Sequence, residues 1–266
     1  MSPRPAVDVR DERGASAPRV IGLVVVLVGG LLMTGGVVRG LDGGGSPFVL
    51  MLLVMPVVLG IGFWHQHHRS KLARQWATSI GWTYVGSDPS LAMRWDGTPF
   101  DVGRSRRTRE VVRGAFQGRA AVSFAYTYTT GSGKSQSTTT WHVLAIDLPA
   151  YLPTLELTPD GLGAKLAKGF GGQDLQLESE HFNQAWRVEA PMPRFAHDVL
   201  SPRLMERLLA PDATGLSIRV EGTSILCWTL GSPRYEDVAR RLQVMGAIAD
   251  AIPRFVWLDH GYDPAV

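Results

Sequence analysis

The sequence predicts an α+β protein: an N-terminal two-helix transmembrane hairpin followed by a mainly antiparallel β-sheet domain with a few helices. Three observations lead there. Two uncharged apolar runs lie close together near the N-terminus. Strand-like segments outnumber helical ones over the rest of the chain. The strand–helix alternation that marks a parallel sheet is absent.

The first apolar run, residues 20–38 (VIGLVVVLVGGLLMTGGVV), holds no charge over about the length a helix needs to cross ~30 Å of hydrocarbon. The second, residues 47–64 (PFVLMLLVMPVVLGIGFW), is of similar length, and its Pro56 is a breaker that membrane helices tolerate. The link RGLDGGGS is too short for a domain, so the spans form a hairpin with both chain ends on one side. Four arginines precede the first span and Arg69, Lys71 and Arg74 follow the second, against Arg39 alone in the link. The positive-inside rule then makes both termini cytoplasmic and the protein a multi-pass component of the plasma membrane. No A-x-A-like cleavage site follows the first run, which argues against a removed signal peptide.

The charge balance divides with the hydrophobicity. Residues 1–74 hold eight basic and four acidic side chains, a net +4, and the remaining residues carry nineteen against twenty, a net −1. The pI of about 9.2 therefore belongs to the membrane flanks, and no nucleic-acid partner is expected. The segment HQHHRSKLARQW (65–76) raises the question of a metal site. His65 and His68 would share a helix face, yet no carboxylate or thiolate nearby completes a ligand set. Trp64, His65, His67, His68, Arg69 and Lys71 are instead read as the membrane interface where the span ends. The lone Cys227, in the apolar run ILCW, excludes an internal disulfide and is read as a small buried residue.

The expected layout is a cytoplasmic tail (1–19), the hairpin (20–64), a juxtamembrane helix (65–80) and a cytoplasmic α+β domain (81–266). Leu72, Trp76 and Ile80 recur at i, i+4 and i+8 in the juxtamembrane helix, which Gly81 ends. Strands are expected at WTYVG (82–86), PFDVG (99–103), REVVRGAF (109–116), RAAVSFAYTYTT (119–130) and STTTWHVLAIDL (137–148). The last two flank GSGKSQS and read as a long hairpin. TLELT and DLQLE alternate as half-buried strands, and FNQAWRVEA (182–190) reads as another. FAHDVLSPRLMERLLA (195–210) reads as two helices split at Ser201-Pro202, with Ser as N-cap and Pro at N1. LSIRVEG and TSILCWTL are expected to form a hairpin across Gly222-Thr223. Ser232-Pro233 then opens a helix amphipathic through Val238, Leu242, Met245 and Ile248.

The stretch FNQAWRVEAPMPRFAHDVLSPRLMERLL is similar to the pattern F-x-x-x-[aromatic]-x-V, a short polar link, then A-x-x-L-[ST]-P-x-L-M-x-x-L. It resembles a family of bacterial, largely actinobacterial, membrane proteins of unknown function. That resemblance implies one or two N-terminal spans followed by a single cytoplasmic domain. It supplies no catalytic residues.

Several stretches mimic functional motifs. TTGSGKS (129–135) ends like a phosphate-binding loop, but Tyr128 stands where the first glycine is needed and a strand follows. GLGAKLAKGFGG (161–172) lacks the spacing of a dinucleotide fingerprint. Neither G-x-S-x-G nor H-E-x-x-H occurs. Glu178, Glu180 and His181 form the one cluster to consider for acid–base chemistry, on a polar stretch where exposure is the default. His142, between Trp141 and Val143 in a strand, reads as a hydrogen-bonded structural residue.

Arg104, Arg106, Arg107 and Arg109 open the densest charge in the domain, which also includes Arg113 and Arg119. They serve either as a solvated strand edge that deters pairing or as a contact for anionic lipid. No cofactor and no metal are expected. The functional expectation is a non-catalytic, membrane-anchored module that binds a protein partner or lipid at the inner face of the plasma membrane. An enzyme acting on a membrane-proximal substrate is the alternative.

Overall fold

The computed structural model describes residues 67–159 and 175–265, together with Met55, Gly60 and Trp64. The chain divides into two compact units, Met1–Gln66 and His67–Val266. The predicted spans lie outside the described residues apart from Met55, Gly60 and Trp64, each helical. Among the described residues no helix is long and apolar enough to cross a membrane. His65 and the glycine-rich stretch 161–172 also lie outside them.

Within the second unit a helix, α1 (residues 67–79), leads into a six-stranded sheet in which every described pairing is antiparallel. The strands are β1 (Thr83–Gly86), β2 (Arg104–Phe116), β3 (Arg119–Thr130), β4 (Ser137–Pro159), β5 (Trp186–Glu189) and β6 (Ser217–Leu230). They follow the order β1-β2-β3-β4-β5, with β6 also paired to β4. The remaining helices are α2 (Glu180–Ala185), α3 (Pro193–Val199), α4 (Pro202–Leu208), α5 (Val238–Ala251) and α6 (Arg254–Asp259). This is the predicted α+β class with a mainly antiparallel sheet.

The hairpin turns follow from local chemistry. β2 and β3 are joined through Gln117 and Gly118, both at positive φ (49° and 76°), as a two-residue type I′ turn requires. β3 and β4 pair in unbroken register from Ala121↔Ile146 to Thr130↔Ser137, which makes GSGKSQS a hairpin loop. Its phosphate-loop likeness ends there, because strand β4 follows where a helix is required.

Several expected elements are corrected. LSIRVEG and TSILCWTL are one strand, not a hairpin: both halves of β6 pair with β4, from Ile218↔Leu157 to Leu230↔Trp141. Gly222, at φ 59° opposite Leu152, absorbs the register shift where the two strands bend together. PFDVG is not a strand. The amides of Phe100 and Asp101 both bond back to the Gly97 carbonyl, which makes a turn, and Phe100 is buried.

The described part of DLQLE forms no strand either, because Asn183 takes the partner's place. Its amide donates to the Leu177 carbonyl (2.8 Å) and its carbonyl accepts from the Leu177 amide (3.0 Å). FNQAWRVEA accordingly divides into the end of α2 and strand β5, with the Ser179 hydroxyl capping α2 at the Phe182 amide. Ser201-Pro202 opens α4 as expected. Ser232-Pro233 does not cap α5, which begins after a 3₁₀ turn at Tyr235–Asp237.

The sheet carries a core on each face. One face packs Leu144, Ile146, Ile225 and Cys227 under the helices, including the predicted stripe Val238, Leu242, Met245 and Ile248. The other packs Val143, Ala145, Leu226 and Trp228 with Phe124, Tyr126 and Trp141, covered by Leu91, Trp95 and Phe100 from the segment before β2. A third small cluster seats α1: Ala73 and Ala77 against Val112, flanked by Trp76, Trp82, Tyr84 and Tyr235. Of the predicted stripe on α1, only Trp76 packs here. Leu72 and Ile80 are both exposed, and the small alanines let the helix approach β2 closely.

Candidate functional site

Two β-bulges shape strand β2. Its register against β3 slips between Arg104 and Arg107 and again between Arg109 and Val112. Ser105 (φ 54°) and Glu110 (φ 53°) lie within those intervals in the left-handed region that non-glycine residues rarely occupy. A bulge re-aims side chains, and at Glu110 the result is a bidentate ion pair with Arg69 of α1. The Arg69 Nε and Nη2 donate to the two carboxylate oxygens at 2.8 and 3.0 Å. The Tyr235 hydroxyl donates to the same carboxylate at 3.3 Å, and its ring stacks on Trp76 at 4.8 Å. Burial foremost, and then the carboxylate beside it, push the Tyr235 phenol far above its ordinary range.

This clamp fixes the direction of α1 along β2. Arg69 meets Glu110, Ala73 and Ala77 meet Val112, and the Trp82 indole lies where a side chain at Gly114 would stand. The helix and the strand therefore run in the same direction, and Arg104–Arg109 continues along β2 past the level of Arg69. At ~3.3 Å per strand residue, Arg109 and Arg107 lie about 3 and 10 Å along β2 from Glu110, less the shortening at the bulges.

β1 covers only Val111–Arg113 of the outer side of β2. Along the rest, Arg106 Nη2 donates to the Asp101 carbonyl and Arg104 Nη2 to the Gly131 carbonyl. Arg107 and Arg109 are exposed and form no ion pair among the described residues. Arg113 and Arg119, by contrast, pair with Asp88 and Asp250. His67, His68 and Lys71, expected at the membrane interface, lie on α1 with Arg69, and all three are exposed.

Behind the clamp lies a buried polar group of four side chains. His142 Nε2 is 3.0 Å from the Ser123 hydroxyl, and His142 Nδ1 is 2.8 Å from Arg241 Nη1. Arg241 also donates to the carbonyls of His142 and Cys227 (3.1 and 2.7 Å) and to the Cys227 sulfur (3.4 Å). A guanidinium only donates, so Nδ1 must be the acceptor and the ring proton sits on Nε2. His142 therefore donates to Ser123 and cannot serve as its base, the reverse of a nucleophile–base pair. Burial foremost, and the Arg241 cation next, hold His142 well below its ordinary 6.5, so it stays neutral. The structural reading of His142 and the buried reading of Cys227 agree with this geometry. The Arg241 partnership lay a hundred residues away in sequence and carried no motif.

A second buried arginine ties the segment before β2 to the sheet. Arg219 is fully buried, reaches Glu156 at 2.7 Å, and donates to the carbonyls of Asp96 (2.5 Å) and Thr98 (2.6 Å). Glu221 accepts from the Asp96 amide at 3.0 Å, and the Arg219 guanidinium lies 5.0 Å from the Trp228 ring centre. Burial outweighs the nearby cation at Glu156 and pushes its carboxyl above the usual range; Glu221 moves the same way for the same first cause.

The acid–base cluster is not gathered into a site. Glu178, Glu180 and His181 are all exposed at the start of α2, where Ser179 between them is the cap and Glu180 accepts from Gln184 at 3.2 Å. Among the described residues no group of three or more His, Cys, Asp or Glu side chains could hold a metal ion. Two indoles of the helix-free face, Trp141 and Trp228, bury their N–H without a partner among the described residues. An unmet buried donor costs roughly 1–3 kcal/mol.

No protein-family model and no curated protein matches the chain. Among solved structures the chain is similar to the crystal structure of the mycobacterial trehalose monomycolate transport factor A, TtfA. The two share 17% identity with a TM-score of 0.53, over 69% of this chain and 93% of that one. At that identity the likeness shows the fold alone.

Proposed function

We propose that the chain is a membrane-anchored, non-catalytic module at the inner face of the plasma membrane, both termini cytoplasmic. Its α+β domain engages anionic lipid through the arginine edge of β2, Arg104, Arg106, Arg107 and Arg109. The observation that carries this reading is the clamp between Arg69 and Glu110, which aligns α1 with β2 so that the arginines lie on the side of Glu110 toward which α1 leads back to the predicted span. Only four residues lie between Trp64 and Arg69, so at most about 18 Å of chain tethers the clamp to the end of the predicted span. Each basic residue close to an anionic surface contributes about 1 kcal/mol, so the four together make an orienting contact even when only half engage.

The non-catalytic part of the reading draws on the His142 tautomer, which withholds a base from Ser123, and on the exposure of Glu178, Glu180 and His181. The solved structure of similar fold is described as a mycobacterial transport factor. A membrane-associated role without chemistry is compatible with that neighbour, and its mycobacterial source accords with the actinobacterial resemblance of the strand–helix motif.

Hydrogen exchange of the full-length protein in nanodiscs tests the lipid contact. Amides of residues 104–109 should be protected in discs containing phosphatidylglycerol, and the protection should fade with added salt, since exposed charges are screened within ~10 Å at 0.1 M. Equal exchange in phosphatidylcholine discs at low salt would refute the contact.

A further inference from the structure

The helix-free face of the sheet carries two polar groups that the fold does not use. The indole N–H groups of Trp141 and Trp228 are buried without a partner among the described residues. The side chains sit together: across β4 and β6, Trp141 faces Leu230 and Val143 faces Trp228, so the two indoles hold diagonal positions on one face. Around them the lining is aromatic and aliphatic, with Phe124 and Tyr126 from β3.

No α-helix covers this face. A short 3₁₀ turn, Pro89–Met93, sets Leu91 and Ala92 on it, and the rest of its cover is a strap, residues 94–103, without strand pairing or continuous helix, which inserts Trp95 and Phe100. Trp95 stacks on Phe124 with ring centres 6.0 Å apart, and Phe100 lies 5.2 Å from Tyr126 and 6.1 Å from Trp228. The strap is held largely by its own backbone. Arg219 binds the carbonyls of Asp96 and Thr98, Glu221 binds the Asp96 amide, and the Tyr126 hydroxyl donates to the Phe100 carbonyl at 3.0 Å. Gly97 (φ 68°) and Gly103 (φ 70°) provide left-handed backbone within it and at its end.

We propose that this face is a binding site for an uncharged acyl ester. The acyl chain replaces Trp95 and Phe100 when the strap lifts, and the ester oxygens accept the two indole N–H groups. Neutral donors in an aromatic lining select a guest that is apolar yet carries neutral acceptors. Of the cations at the border, the buried Arg219 is matched by Glu156 and Glu221, Arg94 is matched by Asp147, and Arg106 is engaged by the Asp101 carbonyl. The strap meets the arginine edge of β2 where Arg106 Nη2 donates to the Asp101 carbonyl, but this proposal rests on the indoles and is tested apart from the lipid contact.

The test uses full-length protein in phosphatidylcholine nanodiscs and a photoactivatable probe, the methyl ester of a diazirine-bearing palmitic acid. After irradiation, adducts are mapped by mass spectrometry. The expected result is labelling of peptides containing Trp95, Phe100, Trp141 or Trp228, competed away by excess methyl palmitate. Replacing both indoles, Trp141→Phe with Trp228→Phe, should lower that labelling several-fold while labelling of the predicted spans is unchanged. Adducts confined to residues 20–64, or labelling of the aromatic face that methyl palmitate does not compete, would overturn the proposal even if the double variant fails to fold. Undiminished, competed labelling in a folded double variant would overturn it too, since the indoles would then play no part.

Discussion

Arg69 and Glu110 lie forty-one residues apart in sequence, yet both carboxylate oxygens of Glu110 accept from the one guanidinium, at 2.8 and 3.0 Å. The pair is partly shielded, with side-chain exposures of 24% and 11%. It binds the helix that follows the predicted membrane span to a strand whose arginines are the proposed lipid contact. Glu110→Gln should free α1 by about 2 kcal/mol, the scale of a charge-assisted bidentate contact. Hydrogen exchange of residues 67–79 reads that loss directly, and exchange in the β3–β4 hairpin should stay unchanged.

The buried His142 makes stability depend on pH with a definite sign. Its folded form stays neutral well below the ordinary value of 6.5, while the unfolded chain takes up a proton near that value. The unfolded state therefore binds more protons as pH falls through 6.5, and stability falls with it. Roughly 1.4 kcal/mol should be lost between about pH 7.5 and 5.5 from this one residue. His142→Asn should lose that much less over the same interval in denaturant titrations. Glu156 and Glu221, raised by burial, act with the opposite sign at lower pH and are common to both proteins.

Arg219→Met should be among the most damaging single substitutions in the domain. It leaves the buried Glu156 carboxylate and the carbonyls of Asp96 and Thr98 without their donor. Breaking a buried pair from one side costs about 3–5 kcal/mol. The loss should be accompanied by faster exchange in residues 94–103, and pairing Arg219→Met with Glu156→Leu should recover part of the stability.

Topology is checked apart from the domain. Reporters active only in the cytoplasm should work at both termini, because the short link RGLDGGGS forces both ends to one side and the flanking arginines choose it. Activity at the N-terminus alone would mean a single crossing and would place the domain on the opposite face.

The class of fold was legible because β-branched and aromatic runs announced β3 and the first half of β4 with their boundaries nearly right. The helix stripe of α5 was legible for the same reason, since all four of its predicted positions are buried. What escaped was set by distant partners. Gly222-Thr223 has the look of a hairpin turn, and only the pairing of both flanks with β4 makes it a bend in one strand. FNQAWRVEA alternates like a strand, yet the Ser179 cap and the Asn183 side chain divert its first half into a helix. Leu72 and Ile80 are larger than Ala73 and Ala77, so size pointed to the wrong residues of α1. The arginine cluster was visible in composition, but its alignment with α1 depends on Glu110, a residue that no local pattern marks.

The central claim, that the arginine edge meets the anionic leaflet, is tested most directly by its distance from the headgroups. A spin label at Ser105→Cys, in a Cys227→Ala background, is relaxed by nickel chelated on lipid headgroups when the two are close. With full-length protein in phosphatidylglycerol-containing nanodiscs the account predicts strong relaxation, reduced several-fold by salt or by the combined replacement of Arg104, Arg107 and Arg109 with Ser. Relaxation that is weak in anionic discs, or that is indifferent to both salt and those replacements, would contradict it.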